Sequence, residues 1–196
     1  MYNHLKKGSF HLHLNFLERK LFEKLKSDLP TLKYKATYQP HNTYYGNRFQ
    51  AYPCYELKFP THNHIIIPKL EAILQKKIDK KSFQCVMRKT VIEEVQRSKV
   101  NTVYGTIHTD TTELAAVLYF DQTTSGGTVF FEQHWDKHPD VSVGAYPNRL
   151  ILYNAQRWHT TATDFTFKER YVLAMFFNTE KSNRDINEKE KKHQNY

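Results

Sequence analysis

The sequence contains little cysteine and little glycine, and it lacks any long apolar run. Only Cys54 and Cys85 are present among 196 residues, so a framework of several disulfides cannot carry the fold, and a reducing cytoplasm is the simplest setting. Charged residues interrupt every apolar stretch well before the roughly 18 residues that a membrane-spanning helix needs, and no signal-peptide-like apolar segment stands near the N-terminus. These absences predict a cytoplasmic protein with no membrane association.

Positive charge and aromatic side chains are both abundant. Lysine and arginine together number 29 against 20 acidic residues, which gives a formal net charge of +9, and aromatic residues make up 14% of the chain. Such a surplus of charge attracts phosphate groups and acidic partners but carries no information about the fold. A nucleic-acid partner stays open on charge alone, without any sequence motif for it, and a well-solvated lysine-rich surface explains the charge equally well.

The N-terminal half predicts two amphipathic helices. Apolar residues recur at helical spacing over residues 15–29, and Pro30 ends that pattern. A second helix is predicted to begin at Pro68, a residue suited to the first turn, with one apolar face formed by Leu70, Ile73, Leu74 and Ile78. The segment between them, residues 37–55, is rich in Tyr, Asn and Pro and predicts a loop with short strand pieces.

After residue 81 the pattern changes to short β-branched and aromatic runs. They cover residues 83–87, 102–108, 114–120, 128–131, 149–153, 158–163 and 170–177. Turn-like segments separate them, notably 121–127 and 139–147, and this arrangement is typical of a sandwich or barrel. We therefore expect a single domain over residues 1–179, with its β-rich core at about 83–179. The charged residues 180–196 predict a mobile tail.

Three residues of this β-rich half could bind one metal ion. His108 and Asp110 end a predicted strand, and residues two apart in a strand share a face. His159 follows another strand and is the best candidate for a third ligand. Two imidazoles and one carboxylate are typical of non-haem Fe(II) oxygenases. Two other pairs have the same spacing but no matching third ligand, and we expect them to be ordinary surface or hydrogen-bonded histidines: His11 with His13, and His62 with His64.

Arg170 opens the last predicted strand, and its position suggests a binding role. A guanidinium inside the protein requires an anion, and its planar fork matches a carboxylate at two points. An ion pair with an Asp or Glu of the same chain is the structural alternative.

These motifs together resemble a known family. The order of His108-Thr109-Asp110, residues 114–121, 126–130 and 148–153, His159 and Arg170-Tyr171 resembles the double-stranded β-helix core of 2-oxoglutarate/Fe(II) dioxygenases. The resemblance is strongest to the prolyl-4-hydroxylase-like group with its phage and marine bacterial relatives. It implies a mostly β, jelly-roll fold with the N-terminal helices packed on the major sheet.

The resemblance also implies cofactors and their ligands. Iron would be held by His108, Asp110 and His159, and the distal carboxylate of 2-oxoglutarate by Arg170, with a hydrogen bond from Tyr119. Molecular oxygen is the other co-substrate, and ascorbate is an auxiliary reductant to consider. Arg170 stands slightly further from His159 than is usual in the family, so Lys168 is an alternative for its role.

The implied activity is hydroxylation of an amino-acid side chain, free or within a peptide or protein, with proline as the first candidate. Oxidation or demethylation of a nucleic-acid base is the runner-up, and a non-catalytic metal-binding jelly roll is a third reading. Candidate substrate contacts are aromatic and basic residues of the N-terminal loop and of the segment before His159: Tyr44, Tyr45, Arg48, Arg157 and Trp158.

Overall fold

The structure is a computed structural model that describes residues 9–37, 54–91, 93–94, 107–121, 127–136, 138–162 and 168–180. The helices in these ranges are α1 (Arg19–Asp28) and α2 (Asn63–Leu74). The strands are β1 (Phe10–His13), β2 (Lys35–Thr37), β3 (Cys54–Lys58), β4 (Gln84–Val91), β5 (Leu114–Tyr119), β6 (Gly127–Phe131), β7 (Val141–Gly144), β8 (Leu150–Asn154), β9 (Trp158–Thr161) and β10 (Glu169–Phe177). Parts of three predicted segments lie outside the described residues: 102–106 of the strand predicted over 102–108, 38–53 of the loop predicted over 37–55, and 181–196 of the tail predicted over 180–196.

The strands form two antiparallel sheets. The major sheet has the order β1-β8-β5-β10-β4-β3-β2, and the minor sheet has the order β7-β6-β9. Neighbours in space are mostly distant in sequence, as in a jelly roll, where strands pair across long connections. An isolated bridge between His108 and His159 places one more segment beside β9. The mostly β, jelly-roll class predicted from the sequence is confirmed.

Alternation along the strands of the major sheet separates two apolar clusters. In β5, Ala115, Val117 and Tyr119 belong to the cluster between the two sheets, whereas Leu118 and its neighbours of the same parity belong to a second cluster on the other face. The alternation continues in β8, where Ile151 and Tyr153 belong to the cluster between the sheets, and in β10, where Val172 and Phe176 pack against it. Because successive strand residues point to opposite faces, both faces of this sheet can be buried by different partners.

The two helices cover the face of the major sheet that is turned away from the minor sheet. Phe22 of α1 stacks on Phe120 with ring centroids 5.4 Å apart, and Leu70 of α2 is fully buried in the same cluster. Burial of side chains of this size contributes about 1.5–3 kcal/mol each. The predicted packing of the helices on the major sheet is confirmed, and neither helix is long and apolar enough to cross a membrane.

The first helix begins at Arg19, four residues later than the apolar pattern predicts. The preceding residues bind Asn148 instead: Phe16 N donates to its carbonyl, and Leu17 exchanges two hydrogen bonds with its side-chain amide. Asn148 itself has a φ of 59°. This buried contact between distant segments holds residues 16 and 17 in a non-helical conformation, which local periodicity cannot reveal.

The predicted start of the second helix at Pro68 is wrong. Helix α2 begins at Asn63, Pro68 lies inside it, and Gln75 ends it with a φ of 54°. Proline inside a helix removes one backbone hydrogen bond. The cost is offset here because the earlier start buries Ile66 and Ile67 in the core. Ile78, expected on the helix, lies beyond it and forms a bridge with Thr179.

The segment 139–147, predicted to be turn-like, contains strand β7, so that prediction is wrong as well. Its Val143 is buried between the sheets, and β7 pairs with β6 in the register Gly127 to Gly144. The two strands approach closely at Gly127, where a Cβ atom would lie 1.8 Å from the carbonyl oxygen of Val143. Glycine is therefore required at this position by close backbone approach.

Candidate metal and co-substrate site

His108, Asp110 and His159 lie together at one end of the minor sheet. One ligand atom from each can be chosen so that all three lie within 4.8 Å of one another, and no other such group occurs among the described residues. The Nε2 atoms of His108 and His159 lie 3.7 Å and 3.3 Å from the Asp110 carboxylate oxygens. Side-chain exposure falls from 38% at His108 through 15% at Asp110 to 5% at His159. The group therefore opens to solvent on the side of His108.

Strand pairing explains why the three side chains converge. His108 and His159 face each other across an isolated bridge and exchange both backbone hydrogen bonds, at 3.0 and 2.9 Å. Directly opposed residues of an antiparallel pair point to the same face. Asp110 stands two residues further on, where its N–H donates to the Ala155 carbonyl, so its side chain returns to that face.

The backbone selects the tautomer of His159. Its Nδ1 lies 2.7 Å from the carbonyl oxygen of Arg157, which can only accept, so Nδ1 donates and Nε2 carries the lone pair. Nε2 lies 3.3 Å from Oδ2 of Asp110, which is buried without a hydrogen-bond partner among the described residues. With the imidazole neutral, both atoms are acceptors, and acceptors at this separation repel each other unless a proton or a metal cation lies between them. The donor set therefore fits a divalent metal.

The four other histidines of strand-like spacing have different surroundings. His11 and His13 belong to β1 at the edge of the major sheet, and burial lowers the pKa of His13. His62 stacks on Phe59 beside helix α2, and His64 lies on that helix. None of these four belongs to a group of three ligands within the described ranges.

Arg170 lies inside the sandwich, where strand parity places it on the same face as Val172. It is only 6% exposed. Its guanidinium contacts the carbonyl oxygens of Gly127 and Ala162 at 3.4 and 3.5 Å, and its Nε has no hydrogen-bond partner in the described part of the chain. These contacts are long and neutral, and no carboxylate of the described residues pairs with this buried cation, which favours an anionic ligand. Its alternative, Lys168, is exposed.

Tyr119 is fully buried beside Arg170. Its hydroxyl lies 2.6 Å from Oγ1 of Thr128, which joins β5 of the major sheet to β6 of the minor sheet. Burial raises the pKa of this phenol, while the hydrogen bond to Thr128 and the charge of Arg170 oppose the rise. Tyr119, Thr128 and Arg170 thus form a polar group within an otherwise apolar interior. Thr128 was not predicted from the sequence.

Tyr153 is a second residue of this interior that sequence analysis missed. Its ring makes an edge contact with His159 at 4.8 Å and with Phe130 at 5.1 Å. Burial, and next the charge of Asp110, raise the pKa of its phenol well above the usual value. The signal was present in β8, where Ile151 and Tyr153 share the inward parity. Tyr153 forms part of the wall between the histidine pair and the Tyr119 group.

The predicted substrate contacts fall into three places. Arg157 is buried at the turn before β9, paired with Asp140 at 3.2 Å and stacked over the Phe130 ring at 4.6 Å. Trp158 packs on the outer face of the minor sheet, because it precedes His159 by one residue and so points the opposite way. The loop residues lie outside the described residues: Tyr44, Tyr45 and Arg48. For all five, contact with substrate stays a prediction.

The fold and this arrangement can be compared with known proteins. No protein-family model matches the sequence, and no curated protein matches it either. Solved structures of iron and 2-oxoglutarate oxygenases share the fold. HygX from Streptomyces hygroscopicus, with nickel, 2-oxoglutarate and hygromycin B bound, matches with a TM-score of 0.59 at 11% identity, over 88% of this chain and 84% of that one.

Two further solved structures share the fold of this chain with somewhat lower TM-scores. An oxidoreductase of the 2OG-Fe(II) oxygenase family from Burkholderia pseudomallei has a TM-score of 0.56 at 10% identity and covers 88% of this chain and 86% of its own. A prolyl-4-hydroxylase from Pseudomonas putida has a TM-score of 0.53 at 12% identity, with 88% and 93% covered. At such identities the likeness concerns the fold, which is the double-stranded β-helix that the motifs predicted.

Proposed function

We propose that the protein is an Fe(II)- and 2-oxoglutarate-dependent oxygenase. The observation that carries the proposal is the convergence of His108, Asp110 and His159, with Nε2 of His159 3.3 Å from the Asp110 carboxylate. Two imidazoles and one carboxylate leave open coordination positions, which is the ligand set of non-haem iron oxygenases. The shared fold of HygX and the prolyl-4-hydroxylase supports the same reading.

Arg170 is the proposed partner of the distal carboxylate of 2-oxoglutarate. It is buried, without a carboxylate partner among the described residues, and lies behind the metal group in the same interior. Tyr119 and Thr128 offer hydroxyls beside it. A divalent metal ion would compensate the Asp110 anion, and the distal carboxylate of 2-oxoglutarate would compensate the Arg170 cation.

The metal, when bound, would activate oxygen in a reaction that oxidises 2-oxoglutarate and releases carbon dioxide from it. One oxygen atom ends in succinate and the other in a former C–H bond of the substrate. The chain's own residues hold and orient these groups. The apolar cluster formed by Phe130, Tyr153 and the residues around them excludes water from the interior.

We propose an amino-acid side chain, free or in a peptide, as the group that is hydroxylated. The fold is compatible with it, since a prolyl-4-hydroxylase has the same architecture. HygX has that architecture with hygromycin B bound, so the substrate must be decided by the walls of the site. The net charge of +9 keeps a nucleic-acid base as the second candidate, and salt-sensitive binding to oligonucleotides would favour it.

The test of the proposed function is formation of succinate. Purified protein is incubated in air with Fe(II) and 2-oxoglutarate, and succinate is measured with and without a chelator and in His159→Ala. We expect slow succinate release that requires iron and disappears in the variant. Wild-type protein that binds iron and 2-oxoglutarate but forms no succinate would instead be the non-catalytic jelly roll.

A further inference from the structure

A pair of opposite charges lies on the inner face of the major sheet, outside the metal and Arg170 groups. Glu56 of β3 and Arg88 of β4 stand directly opposite each other, and Arg88 stands opposite Val172 of β10. Opposed residues share a face, and Val172 packs into the cluster between the sheets. The Glu56 and Arg88 side chains therefore belong to the wall of the same interior as the candidate site.

The Arg88 side chain leans toward the metal end of that interior. Its guanidinium carbon lies 5.5 Å from the centre of the Phe176 ring, although its backbone is level with Val172, four residues before Phe176. Arg170 stands at the other end of β10. The guanidinium thus lies against the Phe176 ring, which belongs to the end of β10 away from Arg170.

The row of inward residues at that level leads to the metal group. Phe176 pairs with Ala115, and Ala115 pairs with Tyr153, whose ring contacts His159. Ala115 contributes only a methyl group between the two aromatic rings. Arg88 and the metal ligands therefore border the same space from two sides.

The chemistry of the pair matches a small zwitterion. Arg88 Nε donates to Glu56 Oε1 at 2.8 Å, and the side chains are 28% and 23% exposed. An ion pair at such exposure contributes about 0–1 kcal/mol to stability, so a role in binding is compatible with its place on the inner face of the sheet. Adjacent positive and negative groups do complement a carboxylate and an ammonium on one carbon atom.

We propose that Glu56 and Arg88 recognise the substrate, and that this substrate is a free α-amino acid whose carboxylate binds Arg88 and whose ammonium group binds Glu56. The proposal rests on the proposed function and narrows it. Residues inside a peptide carry neither charge at the backbone, so the pair discriminates against them. Iron and 2-oxoglutarate would bind independently of the pair, between His159 and Arg170.

The first arm of the test uses the unaltered protein with Fe(II) and 2-oxoglutarate. The proteinogenic L-amino acids are added one at a time, and stimulation of succinate release is measured together with a product that has gained one oxygen. We expect at least one free amino acid to stimulate, and its α-amide and N-acetyl derivatives to do so at least about tenfold less. If iron-dependent succinate release occurs but no free amino acid stimulates it, this inference fails while the proposed function stands.

The second arm uses variants, with the ratio of stimulated to unstimulated succinate release as the readout. Arg88→Gln and Glu56→Gln should each lower the ratio at least about tenfold by raising KM for the amino acid. Lys24→Gln, which breaks the exposed pair with Asp28, is the matched control and should keep the wild-type ratio.

The exchanged double variant, with Glu56→Arg and Arg88→Glu, separates recognition from support of the fold. If the ion pair only supports the fold, exchanging the two charges between positions 56 and 88 preserves its role. If it binds substrate next to the metal, the exchange places the wrong charge at each end of the substrate. We expect the double variant to fold, by circular dichroism, with a ratio as low as that of Arg88→Gln. A wild-type ratio in the double variant would overturn the inference.

Discussion

His159 Nε2 lies 3.3 Å from Asp110 Oδ2, and the proton of the imidazole is held on the other nitrogen by the Arg157 carbonyl. With the imidazole neutral, both of these atoms are acceptors. In water each would be solvated, but His159 is 5% exposed and Asp110 15% at the side chain. A bound metal ion would remove the repulsion between these two atoms without any movement of the backbone. Three hydrogen bonds hold the backbone in place here: two between His108 and His159, and one from Asp110 to Ala155.

Replacement of Arg170 should affect the co-substrate far more than the metal. Arg170→Ala removes a charge-assisted contact from a buried site, so we expect 2-oxoglutarate binding to weaken by about 1.5–3 kcal/mol. Calorimetric titration of the Fe(II)-loaded protein measures it. The matched control is Lys168→Ala, since that side chain is exposed two residues away. If Lys168→Ala weakened 2-oxoglutarate binding strongly and Arg170→Ala weakened it only slightly, Lys168 would be the residue that binds the distal carboxylate.

Removal of the Tyr119 hydroxyl should weaken 2-oxoglutarate binding less than removal of the Arg170 charge. Its main effect should be on the stability of the fold. Tyr119→Phe leaves the Thr128 hydroxyl buried without its 2.6 Å partner, and we expect a loss of about 1 kcal/mol in the free energy of unfolding. Adding Thr128→Val removes the stranded group and should recover part of this loss. Urea unfolding of both single variants and the double variant gives the coupling. Strict additivity would show that the two hydroxyls are not bonded to each other.

Gly127 should tolerate no side chain. In Gly127→Ala the added Cβ would meet the Val143 carbonyl oxygen at 1.8 Å, and the strands β6 and β7 must separate. We expect a loss of more than about 1 kcal/mol in the free energy of unfolding. Weaker 2-oxoglutarate binding should accompany it, because the Gly127 carbonyl contacts Arg170. The control is Ser142→Ala, an exposed position on β7; equal stability of the two variants would contradict the close approach.

The loop that contains Tyr44 and Arg48 is predicted to select the substrate. Binding residues gather on loops over a rigid scaffold, and contacts from this loop would add to those proposed for Glu56 and Arg88 on the sheet. Tyr44→Ala and Arg48→Ala should therefore reduce substrate-coupled succinate release much more than the uncoupled reaction. If these variants lost the uncoupled reaction as completely as His108→Ala, the loop would belong to the metal and co-substrate site.

Much of the β-rich half was predictable because its strands are short and their apolar residues are continuous. The runs at 114–120, 149–153 and 170–177 match β5, β8 and β10 within one residue at each end. Strand β7 was missed because Pro139 and Pro147 flank only a short run. The start of α2 was misplaced because Pro68 is usual at a first turn, whereas burial of Ile66 and Ile67 decides the conformation here.

The site was predictable only in part, for a physical reason. Alternation along one strand places His108 and Asp110 on one face, but the pairing of His108 with His159 depends on a register between segments about 50 residues apart. No local pattern encodes that register. Glu56 and Arg88 escaped notice for the same reason, since residues 32 apart become neighbours only through the pairing of β3 with β4.

Anaerobic titration with Fe(II) tests the central claim most directly. We expect wild-type protein and the control His64→Ala, an exposed histidine on α2, to bind one iron each. Three variants each remove one ligand: His108→Ala, Asp110→Ala and His159→Ala. Each should bind iron at least about tenfold more weakly while keeping a β-rich circular dichroism spectrum. Equal iron binding by the wild type and all three variants would contradict the account.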